Sequence, residues 1–442
     1  MRILLGLLAA AAVASAQLSG PVGPTTSRAS KAAKKVCDIL QYGGVASATA
    51  DNSGAIVKAW NACKAGGQVL IPAGSFGLAK WVDLSGGRGV AFNLEGVLYR
   101  VSNATEGGTM ISVRDTDDFE FYSGNGKGAV QGYGWEFHKN NKYGPRILRF
   151  TKVTNFSVHD LALVDSPAFH FTADTCTNGE VYNLIVHGGD RGGLDGVDVW
   201  GTNIWVHDVE VSNRDECVTI KSPAKNILIE SIFCNLSGGC AIGSLGANTS
   251  ITEITYQNIY SQNCNQMMMI KSNGGSGSLS HAVFRNFSGH SNAYTLNIDS
   301  SWSQRAADPG YGGVEYDYLT FDNWKGTCLD GSKRPPVILG CSPVWMCGNV
   351  EISNFNVWTE TGSEVKYACR NAYGHGACIK DSPGNGAYTT TMTVATMDAA
   401  KYAVTTMPGE ITKGLGITTS IDIPAVPTTF YPGLKPLSTR LG

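Results

Sequence analysis

Charge is scarce in this chain. Asp, Glu, Lys and Arg make up 16% of its 442 residues, and the formal net charge is −2. With no basic excess to hold a phosphate backbone, nucleic-acid binding is not expected. Long apolar runs are also rare. The stretch from Ile3 to Val13 is too short to cross a bilayer, and no later run is long enough, so no membrane partner is expected. Twelve cysteines are present, but their spacings do not form a zinc pattern, and neither a metal nor a cofactor is implied.

What the ends do contain is an address. Arg2 gives a short basic region, Ile3–Val13 an apolar one, and Ala14-Ser15-Ala16 a small-x-small cleavage pattern. Residues 1–16 therefore read as a signal peptide, which predicts a secreted, extracellular protein. An oxidising compartment suits the cysteines. Cys37 with Cys63, Cys217 with Cys234, Cys341 with Cys347 and Cys369 with Cys378 lie close in sequence and are the expected local clips. Cys176, Cys240, Cys264 and Cys328 are left as buried thiols. Sequons at Asn103, Asn155, Asn235, Asn248 and Asn286 make a glycoprotein plausible, with only some sites used.

The 54 glycines and 43% hydrophobic content point to much buried backbone and many turns. A repeat organises them. The pattern hydrophobic-x-(Asp/Asn/Ser)-hydrophobic recurs with its polar residue at Asp160, Asn183, Asp208, Ser231, Asn258, Asn286, Asn323 and Asn354. The steps are 23, 25, 23, 27, 28, 37 and 31 residues, and Asn155, Asn178, Asn203 and Asn226 precede the first four by five. Such a period signals a solenoid, and its β-branched and aromatic content makes each unit a coil of short strands. Propeller blades need about 40–50 residues and do not fit. The expected fold is all-β: a right-handed single-stranded parallel β-helix with a short N-terminal capping helix and an irregular C-terminal tail. Asp51-Asn52-Ser53 would start that helix and Gly66-Gly67 end it, with Val69–Ile71 opening the first coil. Residues 17–383 would form the β-helix domain. The Thr/Ala/Pro/Gly-rich residues 384–442 would form a tail along or beyond it.

Stacking the coils also predicts a site. Val197–Gly201, Val218–Ser222, Cys240–Ser244 and Met268–Ser272 share one frame. In that register Asp195 lies against Glu216, Asp198 against Thr219 and Met269, and Lys221 against Lys271. Asp215 adjoins Glu216. Single acids in turns are ordinary turn chemistry. Four on two neighbouring coils are not, because crowding raises the pKa of at least one and lets an acid coexist with a base. Glycosidic hydrolysis needs that pair, and the two lysines suit uronate carboxylates.

On these residues the sequence resembles the family 28 glycoside hydrolases. The likeness runs from Tyr42-Gly43-Gly44 and Ile71-Pro72-Ala73-Gly74 to about residue 380. The Asn-Thr-Asp, Asp-Asp, Gly-His-Gly and Arg-Ile-Lys signatures of its polygalacturonases fall on Gly193-Leu194-Asp195, Asp215-Glu216, the segment before Ile242-Gly243-Ser244, and Met269-Ile270-Lys271. The histidine position falls near Gly238 and the arginine position holds Met269. An apolar group in place of a bidentate clamp fits a site that admits a neutral 6-deoxy sugar beside galacturonate. The pattern looks like the branch that cleaves the galacturonate–rhamnose backbone of pectin.

That resemblance implies Asp215 as general acid, with Asp195 and Glu216 holding the attacking water and inversion as the outcome. It implies carboxyl groups about 6.5–9.5 Å apart across the cleft. Asp198 would tune the group, Asp174 stand at its edge, and Lys221 and Lys271 bind uronate. Trp200, Trp302 and Trp324 are candidates for sugar stacking. The substrate partner is a pectic polysaccharide and the expected assembly a monomer. A polygalacturonase or xylogalacturonan hydrolase is an alternative on the same fold. A lyase is another, although the acid turn offers only Arg214 nearby. A non-catalytic carbohydrate-binding solenoid is the alternative of a different class.

Overall fold

The computed structural model describes residues 18–302, 312–332, 334–360, 364–382, 387–395 and 410–430. The expected signal peptide lies outside them. No helix among the described residues is long and apolar enough to cross a membrane.

The described strands form one continuous sheet wound into a parallel β-helix, right-handed as parallel crossovers are. Among the described residues every strand pairing is parallel except that of Val365–Arg370 with Thr389–Val394. Long strands such as Val197–Ser212 and Glu216–Asn235 bend at their corners without leaving the ladder. The bends fall on the repeated polar residues. Asp160, Asn183, Asp208, Ser231, Asn258, Asn286, Asn323 and Asn354 all have φ between +48° and +59°. So do Asn155, Asn178, Asn203 and Asn226, with φ from +51° to +57°. Short polar side chains tolerate this left-handed conformation better than others. They also bond one another along the axis: Asn178 Nδ2 donates to Asn155 Oδ1 at 3.0 Å, and Asn203 Nδ2 to Asn178 Oδ1 at 2.9 Å.

Between corners, apolar residues point inward and stack coil upon coil. Val197, Val218, Val206 and Ile229 are fully buried, as are Phe284, Phe321 and Trp324. Trp324 lies parallel to Phe287 at 4.0 Å and to Phe355 at 5.2 Å. It is a core residue, which removes it from the sugar-stacking candidates.

The ends differ from expectation in detail. The capping helix spans Ser53–Cys63, started by Asp51 accepting from the Ser53 amide at 3.1 Å. A second helix, Arg28–Lys34, precedes it. The first coil opens at Val36–Asp38 rather than at Val69, because Val36–Asp38 pairs with Gln68–Leu70. The four expected disulfides are formed, and Cys176, Cys240, Cys264 and Cys328 are buried and unbridged. Asn235 is fully buried, so its sequon is closed to a glycan in the folded chain. In the tail, Ile421, Leu415, Ile423 and Val426 pack on Ala129, Ala162, Val164 and Ile185 of the solenoid wall.

Candidate active site

Register brings the acids together. Val197 pairs with Val218 and Asp198 with Thr219, so Asp195 lies one coil from Glu216. Thr219 pairs with Ala241, and Ala241 with Met269. The stacking read from the sequence therefore stands, and nearest oxygens of Asp195, Asp215 and Glu216 lie within 4.8 Å of one another.

Backbone contacts hold the turns that carry them. Asn213 Nδ2 donates to the carbonyls of Leu194 at 2.7 Å and Glu216 at 2.9 Å, tying both acid-bearing loops to one side chain. The Gly193 amide donates to Asp215 Oδ2, and the Glu216 amide to Asp215 Oδ1 at 2.9 Å. Behind them, buried His170 has Nδ1 3.2 Å from the Leu194 and Asp195 carbonyls, and burial pushes its pKa down to about 4. Asn213 and His170 were missed in the sequence, although Asn213 stands two residues before Asp215.

Two lysines serve these carboxylates. Lys221 Nζ sits 3.4 Å from Asp195 Oδ2 and 3.6 Å from Asp198 Oδ2, and Lys271 Nζ pairs with Glu216 Oε1. Both ammonium groups are engaged by the protein's own acids. The three clustered acids have the donor set for a cation, and the lysines already bring two positive charges to it.

Four acids facing two cations cannot all ionise cheaply. Burial first, then repulsion from Asp198 and Glu216, lifts Asp195 to about 8. Burial lifts Asp198 to about 6, against the pull of Lys221, and it shares a hydrogen bond with Asp195. Burial, with the hydrogen bond and charge of Glu216, lifts Asp215 to about 8. For Glu216 burial acts upward too, but the bond from Asp215 and the charge of Lys271 outweigh it and hold the group at about 2. Asp215 thus keeps a proton beside an ionised Glu216 over the whole range between. That is an acid and a base in one turn.

Gly238 explains the missing histidine. A Cβ there would stand 2.7–2.9 Å from the backbone of Asp215 and Glu216, so no side chain fits without moving the acid turn. Met269 is only 2% exposed and its side chain lines the cleft. Asp174 is paired with Arg149 and accepts from Thr175 Oγ1 at 2.7 Å.

The cleft holds about 670 Å³ and runs from Asp215, Glu216 and Lys271 toward later coils. Its far walls include Tyr294, Trp302, Arg334 and Arg370, of which only Trp302 was expected. Trp302 is 50% exposed, and the Lys271 ammonium lies 5.0 Å from its ring centre. The structure gives Trp200 no comparable place in this cleft.

Comparison with known proteins decides the lineage. The family model for glycosyl hydrolases family 28 matches residues 63–378. The chain belongs to glycosyl hydrolase family 28. Within this family it is 54% identical to rhamnogalacturonase A of Aspergillus aculeatus, over 99% of both chains. It is 53% identical to a probable rhamnogalacturonase A of Aspergillus niger, over 98% of this chain and 97% of the other. Among solved structures, endo-xylogalacturonan hydrolase of Aspergillus tubingensis superposes with TM-score 0.66 at 22% identity, over 78% of this chain and 97% of the other. Polygalacturonase of Erwinia carotovora gives 0.56 at 18% identity, over 77% and 97%. Those two likenesses show the fold. As a family 28 member the chain is a glycoside hydrolase.

Proposed function

We propose that this chain is a secreted, monomeric endo-hydrolase of the rhamnogalacturonan backbone of pectin, cleaving between galacturonate and rhamnose with inversion. The observation that carries the mechanism is the clustering of Asp215 with Glu216 and Asp195, with Lys271 paired to Glu216; burial and Glu216 push Asp215 up, while Asp215 and Lys271 hold Glu216 down. Relatives named rhamnogalacturonase that match the chain from end to end support the substrate.

In this reading Asp215 gives its proton to the glycosidic oxygen as the bond to the anomeric carbon of galacturonate breaks. Rhamnose leaves with that proton on its hydroxyl. Glu216 takes a proton from the water that adds to the anomeric carbon. Asp195, hydrogen-bonded to Asp198, orients that water. Met269 replaces a cationic clamp with an apolar surface for the rhamnose methyl. Asp174, tied to Arg149, borders this group.

The test is incubation with deacetylated rhamnogalacturonan and, separately, homogalacturonan, with products followed by mass and by early proton NMR. Saturated fragments ending in rhamnose, with the new galacturonate end first appearing as the inverted anomer, are expected. Cleavage of homogalacturonan alone would sink the substrate assignment. A retained anomer would sink the water-attack mechanism, and an unsaturated product would point to a lyase.

A further inference from the structure

We infer that Arg334 and Arg370 form a seat for the carboxylate of the galacturonate that follows the rhamnose packed on Met269. The inference rests on the rhamnogalacturonan reading and assigns it a specificity site.

Lys221 and Lys271 are spent on the catalytic acids, so a uronate farther along the cleft needs other cations. The ladder shows where they stand. Gly238 bonds to Asp215, Gln266 to Gly238, and Tyr294 to Asn265, each step moving one coil along the axis. Tyr294 is thus three coils beyond Asp215, about 14 Å at the strand spacing of the sheet. The next coil carries Arg334, whose guanidinium reaches back over the Tyr294 ring at 5.6 Å from its centre. Lys271 pairs with Asp299, Asp299 with Gly340, and Gly340 with Arg370. The Arg370 side chain also turns back toward the site: a Cβ on Gly340 would lie 3.8 Å from its Nη2. Its Nε is anchored on the Cys341 carbonyl at 3.1 Å.

Both arginines are exposed and line the same cleft. No described carboxylate is within ion-pair distance of either, and Asp299 accepts from the Ser301 amide at 2.9 Å. A planar guanidinium matches a carboxylate in bidentate fashion. The floor beneath agrees. Met269, Asn297 and Ile338 stand one above another on successive strands, an apolar, polar, apolar series. An extended pyranose chain advances by about one coil step per sugar, so an alternating deoxy-sugar and uronate chain would place its uronate at Asn297, under Arg334.

The experiment measures kcat and KM on alternating oligosaccharides of increasing length, for the parent protein and for R334A, R370A and R334A/R370A. In the parent, KM should fall steeply once the oligosaccharide is long enough to bring a uronate to the seat. The double variant should lose that step, with KM on long substrates raised roughly tenfold to a hundredfold and kcat nearly unchanged. R334K should restore part of it, and melting curves monitor folding. A length step that persists in the folded double variant overturns the seat. A parent protein that cleaves no rhamnogalacturonan at any length overturns the functional reading instead, and the seat argued from it.

Discussion

Lys271 donates to Oε1 of Glu216, the acid that directly follows Asp215 in the same turn. Two neighbours in sequence are pushed apart: burial and Glu216 raise Asp215, while the bond from Asp215 and the charge of Lys271 lower Glu216. Glu216 has a partly buried cation beside it, whereas Asp215 has mainly Glu216 and Asp195.

Replacing Lys271 by Met should remove the charge that keeps Glu216 ionised. The Glu216 carboxyl then rises, so the acid limb of the kcat profile should move to higher pH. A loss of kcat of roughly a hundredfold or more at pH 5 is expected. A pH–rate profile of K271M, set beside its melting curve, checks this. An acid limb that stays in place would show that Lys271 does not set the Glu216 pKa.

Stability should pull against activity at the same cluster. Asp195 and Asp215 have folded pKa values near 8, above their unfolded values near 4. Protonation is therefore favoured by the fold. Their contribution is fully present below about pH 4 and is lost as pH rises through about 8. Asparagine mimics the protonated form and cannot ionise. D195N and D215N should melt higher than the parent at pH 8, by roughly 2 °C or more, and about equally at pH 4. Both should be nearly inactive, with turnover down roughly a thousandfold for D215N. Melting curves at the two pH values and rate assays test both parts.

The tryptophans should separate by role. Trp324→Ala empties a core position and should cost about 3–5 kcal/mol of stability, with KM unchanged in whatever remains folded. Trp302→Ala removes an exposed ring from the cleft and should raise KM several-fold with little change in melting temperature. Thermal denaturation and Michaelis kinetics on both variants distinguish the two. Equal KM effects would mean the cleft does not use Trp302.

Much of this is legible in the sequence. The spacing of Asp160, Asn183, Asp208 and Ser231 marks the corners because a corner needs a left-handed residue, and few side chains accept one. A solenoid repeats its frame, so aligning Val197, Val218, Cys240 and Met268 was enough to stack Asp195 on Glu216 and Asp198 over Met269. Where the repeat stretches, the reading faded. Tyr294 falls in the step of 37 residues, Arg334 in the step of 31, and Arg370 beyond the last repeat at Asn354, and their loops follow no frame that could align them. Whether a tryptophan faces in or out was equally hidden, as Trp302 and Trp324 show.

The sequence alone determined the coil, its corners, the disulfide partners and the column of acids, because each follows from local periodicity or short separation. The tertiary structure decided which acid keeps a proton, which lysine serves which carboxylate, and why nothing larger than glycine stands at position 238. Those outcomes depend on burial and on distances of a few ångströms between side chains from different coils. Periodicity sets the order of such groups along the axis, but not their reach or their exposure to water.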